Sequence, residues 1–280
     1  MAINTSGSIS TYLSNIYEAA LLTAREQSIM SRLVTVWGDG QGMNGRAIST
    51  YSGGTFGAIA ETAEASAQAF TPSTSGTLTP SVYAAAYQLS DMRVASDPFG
   101  VTADAGRDLG QLYAVGVDTN LCGTAIFSNL TAGTVGATVT ALLWSTGVNK
   151  ASARIRAQKA PGPYACVLAP AQWYDLSSSA TIPALLQSQD LMAEFGQFYQ
   201  ATWSGINFYV DANITDTSGT VIGAMFNVQS IGLDIRRGFR IEPQRDASVG
   251  GGLTELNASA VYAYGLYRPA FGCTMSGASY

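Results

Sequence analysis

Histidine is missing from all 280 residues, and lysine occurs only twice, at Lys150 and Lys159. Without an imidazole there is no Ser-His-Asp or Cys-His nucleophile, and most zinc sites lose a customary ligand. Neither lysine follows a glycine-rich loop, so the Walker phosphate-binding pattern is absent, and with it the ATPase class. Charge is scarce as well. Asp, Glu, Lys and Arg make up 12% of the chain, well under the roughly 25% of an average soluble domain. So neutral a surface points to burial elsewhere, in an assembly. The net charge of −5 leaves no dedicated basic face for reading nucleic acid, although local basic patches remain. Three widely spaced cysteines, Cys122, Cys166 and Cys273, form neither a disulfide framework nor a zinc pattern and fit a reducing compartment. The start "MAINTSGSIS" lacks a basic and then apolar signal region, and no run of about 18 apolar residues occurs, so neither signal-led export nor a membrane span is expected.

What is present is a chain of 47% hydrophobic residues, enough to bury a substantial core. The apolar spacing of Tyr12, Leu13, Ile16, Tyr17, Ala20, Leu21 and Ala24 predicts an amphipathic helix near the N-terminus. "RLVTVW" (32–37) reads as a strand. Beyond it, Trp37 to Ser81 is rich in Gly, Ala, Ser and Thr and carries only Asp39, Arg46, Glu61 and Glu64 as charges. Its large apolar residues are too sparse to close a core of their own, so the segment needs a partner surface. Within it, Ala63, Ala65, Ala67 and Ala69 alternate with other residues, which predicts a strand with an alanine face; a helical reading stays open, since Ala, Glu and Gln are good helix formers.

Asp97 followed by Pro98 reads as a helix cap. The stripe of Leu109, Leu112, Tyr113, Gly116, Val117, Asn120 and Leu121 predicts one long helix. A third helix is expected over about 138–158, ended by Pro161-Gly162-Pro163. Short units follow: a strand at "YACVLAP", small helices at "AQWYDLS" and "IPALLQSQDL", and strands at "INFYVDANI", "TVIGAMFNVQSIGLDI", "RRGFRIEPQ" and "LTELNASAVYAYGLYRPAF". This order implies an α+β fold with a mostly antiparallel sheet.

No stretch supplies a catalytic, cofactor or metal site. Gly40, Gly42 and Gly45 spell G-x-G-x-x-G, but the β-branched "RAISTYSGG" that follows is no helix start, so a turn is the better reading. "DTSGT" at Asp216 to Thr220 is read as a polar turn rather than half of an aspartic-protease pair. Asp211 and Asp216 are read as residues of a solvated loop rather than a calcium site. Half of the fourteen basic residues fall in two runs, Arg154, Arg156 and Lys159, and Arg236, Arg237, Arg240 and Arg245. Two readings stand side by side: a solvated or intrachain-paired face using acids such as Asp234, Glu242 and Asp246, and arginine pairing across a subunit boundary. The aromatics of "EFGQFYQATW" are expected in a core or interface.

Taken in order, these elements resemble the major capsid protein of tailed bacteriophages, with the Hong Kong 97-like fold shared by encapsulins. The resemblance rests on an N-terminal arm and helix (1–33), an extended β loop of low charge (34–92), and the long helix "ADAGRDLGQLYAVGVDTNLCGTA". The family's ending at Asp118, Leu121 and Gly123, the strand and short helix of "YACVLAPAQWYDL", and the closing strand "LNASAVYAYGLYRPAFGC" complete it. It implies a peripheral domain with a spine helix over 93–160, leading into an axial domain over 161–225, with return strands of both over 226–280. The implied function is an icosahedral shell around the genome of a double-stranded DNA bacteriophage, assembled in the bacterial host cytoplasm from pentamers and hexamers. Separate scaffold, portal and cement proteins are further expected partners, as is packaged DNA held without sequence-specific contacts. The shell reading carries no enzymatic activity, no cofactor and no membrane partner. Trp37, Phe56 and Phe70 are expected to anchor the extended loop on a neighbouring subunit, and Arg236, Arg237 and Arg240 to lie at subunit contacts. Residues 34–92 contain no lysine, so no covalent crosslink from that loop is expected. With the first helix so close to Met1, no cleaved scaffold-like segment is expected in this chain. An encapsulin-like compartment is the alternative within the fold, and a secreted β-rich adhesin the alternative outside it.

Overall fold

The computed structural model describes residues 28–280 apart from 41, 43, 53–55, 65–66, 69–70, 97–99, 137–140, 179–197, 215, 218, 247, 249–251 and 280. The N-terminal amphipathic helix, the Asp97-Pro98 cap and the helix at "IPALLQSQDL" lie outside the described residues. A one-turn helix α1 (Met30–Leu33) leads into strand β1 (Thr35–Trp37). A hairpin of β2 (Arg46–Ser52) and β3 (Thr71–Leu78) stands apart as a two-stranded sheet. Then come β4 (Ser81–Ser90), the short helix α2 (Asp91–Ser96) and the predicted long helix, α3 (Val101–Leu121). The remainder comprises α4 (Thr124–Phe127), β5 (Thr134–Gly136), a π turn (Trp144–Val148) continuing into α5 (Asn149–Ala157), β6 (Tyr164–Leu168), α6 (Pro170–Ser178), β7 (Tyr199–Trp203) and β8 (Ile206–Val210). The closing strands are β9 (Asp216–Thr217), β10 (Thr220–Phe226), β11 (Ile231–Asp246), β12 (Leu253–Leu266) and β13 (Gly272–Ala278).

Two larger sheets organise these elements. One has four strands in the order β1-β11-β12-β4, antiparallel except where β1 runs parallel to β11. The other has the path β5-β13-β10-β6-β8-β7, with β9 paired to β10, and is antiparallel except for β13 with β5 and β6 with β8. Strand β6 shows why the second sheet is a middle layer. All five of its residues are buried. Ala165 and Val167 join one core, shared with Val117, Leu121 and Phe127 of α3 and α4, while Tyr164, Cys166 and Leu168 join another with Val148, Ile155 and Leu176. A strand apolar on both faces is what two covered faces require.

Several expectations are corrected. The alanine alternation is not a strand where it is described: 61–64, 67 and 68 have no strand conformation and are exposed, and the partner strand of the hairpin is 71–78 instead. Alanine alternation carries too little apolar area to hold a ladder, whereas the Thr- and Ser-rich run that follows pairs with β2 across seven positions. "RLVTVW" is a strand only over its second half, Thr35–Trp37, since Arg32 and Leu33 complete α1. "TVIGAMFNVQSIGLDI" splits at a turn over 227–230, and "RRGFRIEPQ" continues β11 rather than forming a strand of its own.

Candidate subunit-contact surfaces

Among the described residues, the hairpin's buried apolar contacts with its own chain lie at its base. Ile48 and Leu78 are buried against Ala263 of β12, with Trp37 and Tyr267 packed beside them. At the far end Phe56 is fully exposed and Ile59 is 53% exposed. A fully solvated phenylalanine gains nothing from folding in isolation, and burying it elsewhere is worth about 2–3 kcal/mol.

Polar contacts fix the direction in which the hairpin leaves the sheet. Asp234 of β11 is fully buried. One of its oxygens meets Arg236 Nη2 at 2.8 Å and Arg46 Nε at 3.3 Å. Arg46, the first residue of β2, also pairs with Asp39, and its guanidinium lies 5.1 Å from the Trp37 ring centre. Burial works against the charged form of Arg46, yet its bonds to Asp234 and Asp39 leave it held above its ordinary value. Two glycines make the close approach possible. A Cβ on Gly40 would strike the Arg236 guanidinium, and one on Gly232 would strike the Trp37 indole. Trp37 also meets Tyr267 edge-on at 5.1 Å.

The six residues singled out from the sequence are therefore not gathered in one place. Trp37 sits half-buried at the hairpin base and Phe56 near its tip, while Phe70 lies outside the described residues. Arg236 is 9% exposed and engages Asp234 within the chain, and Arg237 donates to Ser259 Oγ at 3.1 Å. Arg240 pairs with Glu242 at 2.9 Å on the surface. The intrachain reading thus accounts for Arg236 and Arg240 with two of the acids named for it. Arg245 pairs with Asp91 instead of Asp246. The β11–β12 register slips between Ile235 and Arg237 and again between Arg237 and Arg240, and such bulges re-aim side chains in the way this arginine cluster requires. Sequence reasoning missed Arg46. Its signal was there: it is the lone basic residue between Trp37 and Ser81, directly after a glycine cluster.

A second surface is a groove of about 390 Å³ between α3 and the four-stranded sheet, lined mainly by apolar atoms. Tyr83 stacks on Tyr262 at 4.2 Å along one side, and Tyr113 on Phe239 at 4.9 Å along the other. Asn120 donates to the Tyr262 hydroxyl at 2.9 Å. Burial pushes the Tyr262 hydroxyl well above its ordinary range, so it remains a neutral partner.

The chemical motifs resolve as turns. Gly42 takes φ +83° in the connection before β2, and no helix starts there. In "DTSGT", Asp216 accepts from the Gly219 amide at 3.1 Å within the β9–β10 turn. Asp211 departs from the solvated-loop expectation: it is fully buried and accepts from the Asn213 amide at 2.8 Å. The three cysteines are free and buried, and burial pushes the Cys273 thiol up to about 11. Among the described residues no group of His, Cys, Asp and Glu is arranged to hold a metal, and no helix is long and apolar enough to cross a membrane.

No protein-family model matches the chain, and no curated protein matches it in sequence. Solved structures do match. The capsid of Ralstonia phage GP4 aligns with a TM-score of 0.67 at 12% identity, covering 91% of this chain and 92% of that one. The capsid structure of cyanophage P-SCSP1u gives 0.65 at 16% identity, over 91% and 90% of the two chains. A virus-like particle from Pyrococcus furiosus gives 0.52 at 11% identity, over 94% and 99%. Identities this low carry the fold alone. The chain has the α+β Hong Kong 97-like capsid fold that the order of its elements implied.

Proposed function

We propose that the protein is a major capsid protein that self-assembles into the icosahedral shell enclosing the genome of a tailed double-stranded DNA bacteriophage. The observation that carries this reading is the hairpin. In a chain that shares its fold with capsid subunits over about nine-tenths of both lengths, Phe56 and Ile59 are offered to solvent on a projection whose described apolar contacts lie at its base. On this reading the four-stranded sheet with α3 is the peripheral domain, and the seven-stranded sheet is the axial domain around which pentamers and hexamers close. The boundaries read from the sequence, 34–92 for the extended loop, 93–160 and 161–225 for the two domains and 226–280 for the return strands, are adjusted on this reading: β1 and β4 of the first segment join the peripheral sheet, and β5 of the second joins the axial sheet. Phe56 and Phe70 reach a neighbouring subunit, and Trp37 contributes by holding the hairpin base. Arg240, and the exposed margins of Arg236 and Arg237, meet the next subunit outside their intrachain partners. The role is structural, not enzymatic. The packaged DNA is confined by the strength of the shell rather than by base-specific contacts, since the chain is net acidic. Scaffold, portal and cement proteins would be separate chains, and assembly takes place in the host cytoplasm.

The likeness to the Pyrococcus furiosus particle supports a second reading within the same architecture, an encapsulin-like compartment. Sedimentation and negative-stain imaging of the protein expressed alone test both. Closed shells, or rings of five or six subunits, are the expected result, and nucleic acid rather than protein cargo inside favours the virion. A protein that stays monomeric at high concentration, with and without a scaffold partner, overturns the shell reading.

A further inference from the structure

Away from the hairpin, a buried titratable cluster joins Asp118 and Cys122, one helical turn apart at the end of α3, to Asp211, which follows β8. Asp118 is fully buried. Its Oδ1 accepts from Ser28 Oγ at 2.9 Å and from the Met30 amide at 3.2 Å, and its Oδ2 accepts from the Ile29 amide at 3.0 Å. Cys122 Sγ lies 3.6 Å from Asp211 Oδ2. One carboxyl group thus makes three polar contacts between the chain entering α1 and the long helix. Ile29 and Met30 meanwhile bury their side chains in the core that α3 shares.

The geometry accommodates both protonation states. An ionised Asp118 receives all three donors but holds a charge in a buried site near a second carboxyl. A neutral Asp118 can donate from Oδ1 to Ser28 Oγ, whose own proton then turns toward Ser31 Oγ, 3.1 Å away; the two backbone amides keep their acceptors. We propose that Asp118 is a proton-operated latch that ties Ser28–Met30 to α3: the neutral carboxyl keeps the segment seated, and ionisation loosens it.

The environment sets the sign. Burial pushes the Asp118 carboxyl from 3.8 up to about 7; the three donors oppose the rise, and Asp211 adds to it. Burial also raises Asp211, and it holds the Cys122 thiol well above its ordinary value, with both carboxyl groups reinforcing the effect. Among the described residues, the other titratable or charged groups facing this core are Tyr199 and Tyr209 of β7 and β8, Tyr83, Tyr262 and Tyr264 of the four-stranded sheet, Tyr113 of α3 and the exposed Arg32 of α1; Tyr87 of β4 meets α3 further along, donating to Asp108. Releasing Ser28–Met30 admits water to Asp118 and returns it toward 3.8. Between these two pH values the open form therefore binds fewer protons than the closed form. Raising the pH through the window favours opening by about tenfold per unit, and the effect levels off above about 7, where both forms are ionised.

Hydrogen exchange of the full chain, followed by mass spectrometry from pH 4.5 to 8 and corrected for intrinsic rates, reads this directly in the peptide spanning Ile29–Leu33. The expected opening constant climbs about tenfold per unit to near pH 7 and then flattens, whereas Asp118→Asn removes the slope. A wild-type slope equal to that of Asp118→Asn, or protection that increases with pH, overturns the latch. Should Asp118→Asn not fold, Asp211→Asn decides. It lowers the neighbouring negative charge, so the plateau moves to lower pH; a plateau that stays in place overturns the proposal.

Discussion

The two larger sheets of this protein are buried to very different degrees. In the seven-stranded sheet the side chains of β6 alternate between two cores and none reaches solvent. In the four-stranded sheet β4 turns Tyr83, Ala85, Tyr87 and Leu89 toward α3, but Val82, Ala84, Ala86 and Gln88 on its other face are exposed. The hairpin beside it carries the contrast further, buried at Ile48 and Leu78 and bare at Phe56. The first region is completed by its own chain; on the proposed function, the second is completed by a neighbouring subunit. Apolar area exposed in one subunit becomes stabilisation when another subunit covers it, and this allows a chain with few charges to be well ordered in an assembly.

Substitutions can break the comparison, beginning with the closed region. Phe226 is fully buried between β10 and α4 and meets Phe127 at 6.0 Å. Phe226→Ala should cost about 3–5 kcal/mol by emptying that space, read as a fall in the denaturation midpoint of the unassembled subunit. The next largest effect is expected at the hairpin base. Asp234→Ala leaves Arg46 and Arg236 without their shared buried carboxylate and should cost about 3 kcal/mol. Hydrogen exchange in β2 and β3 should rise with it, and unchanged exchange there would show that the triad does not set the hairpin's direction.

Gln172 separates packing from polar satisfaction inside the closed region. Its side chain is fully buried, accepts from the Ala169 amide at 3.2 Å, and donates to the Val221 and Met275 carbonyls at 3.1 and 3.0 Å. Gln172→Leu keeps the volume but strands these groups, at about 1–3 kcal/mol, measurable by the same denaturation series. The smallest effect on folding belongs to the open region. Phe56→Ala should change subunit stability by less than about 0.5 kcal/mol while lowering the yield of sedimenting particles. A large loss of subunit stability would mean that Phe56 is not the free contact residue its exposure indicates.

Much of this division was legible in the sequence. The long helix, the strand and short helix around Leu168 and Trp173, and the sparse apolar content of the hairpin all follow from spacing between near neighbours. Periodicity also misled: four alternating alanines suggested a strand, yet Ala63 and Ala67, the two of them that are described, have no strand conformation. Asp211 looked like part of a solvated loop because nothing in its local sequence records that Cys122 and Asp118 lie beside it. Arg236 and Arg240 could be assigned to intrachain acids only once the bulges of β11 were known.

The sequence alone determined the α+β class, the long helix, the lack of histidine-based chemistry, and how few large apolar residues the stretch from Trp37 to Ser81 carries, because composition and short-range period hold that information. Only the tertiary structure decided that Asp234 gathers two arginines at the hairpin base and that Asp118 holds Ser28–Met30. Those contacts join residues as many as 188 positions apart; their energies come from shared burial, which no single segment encodes.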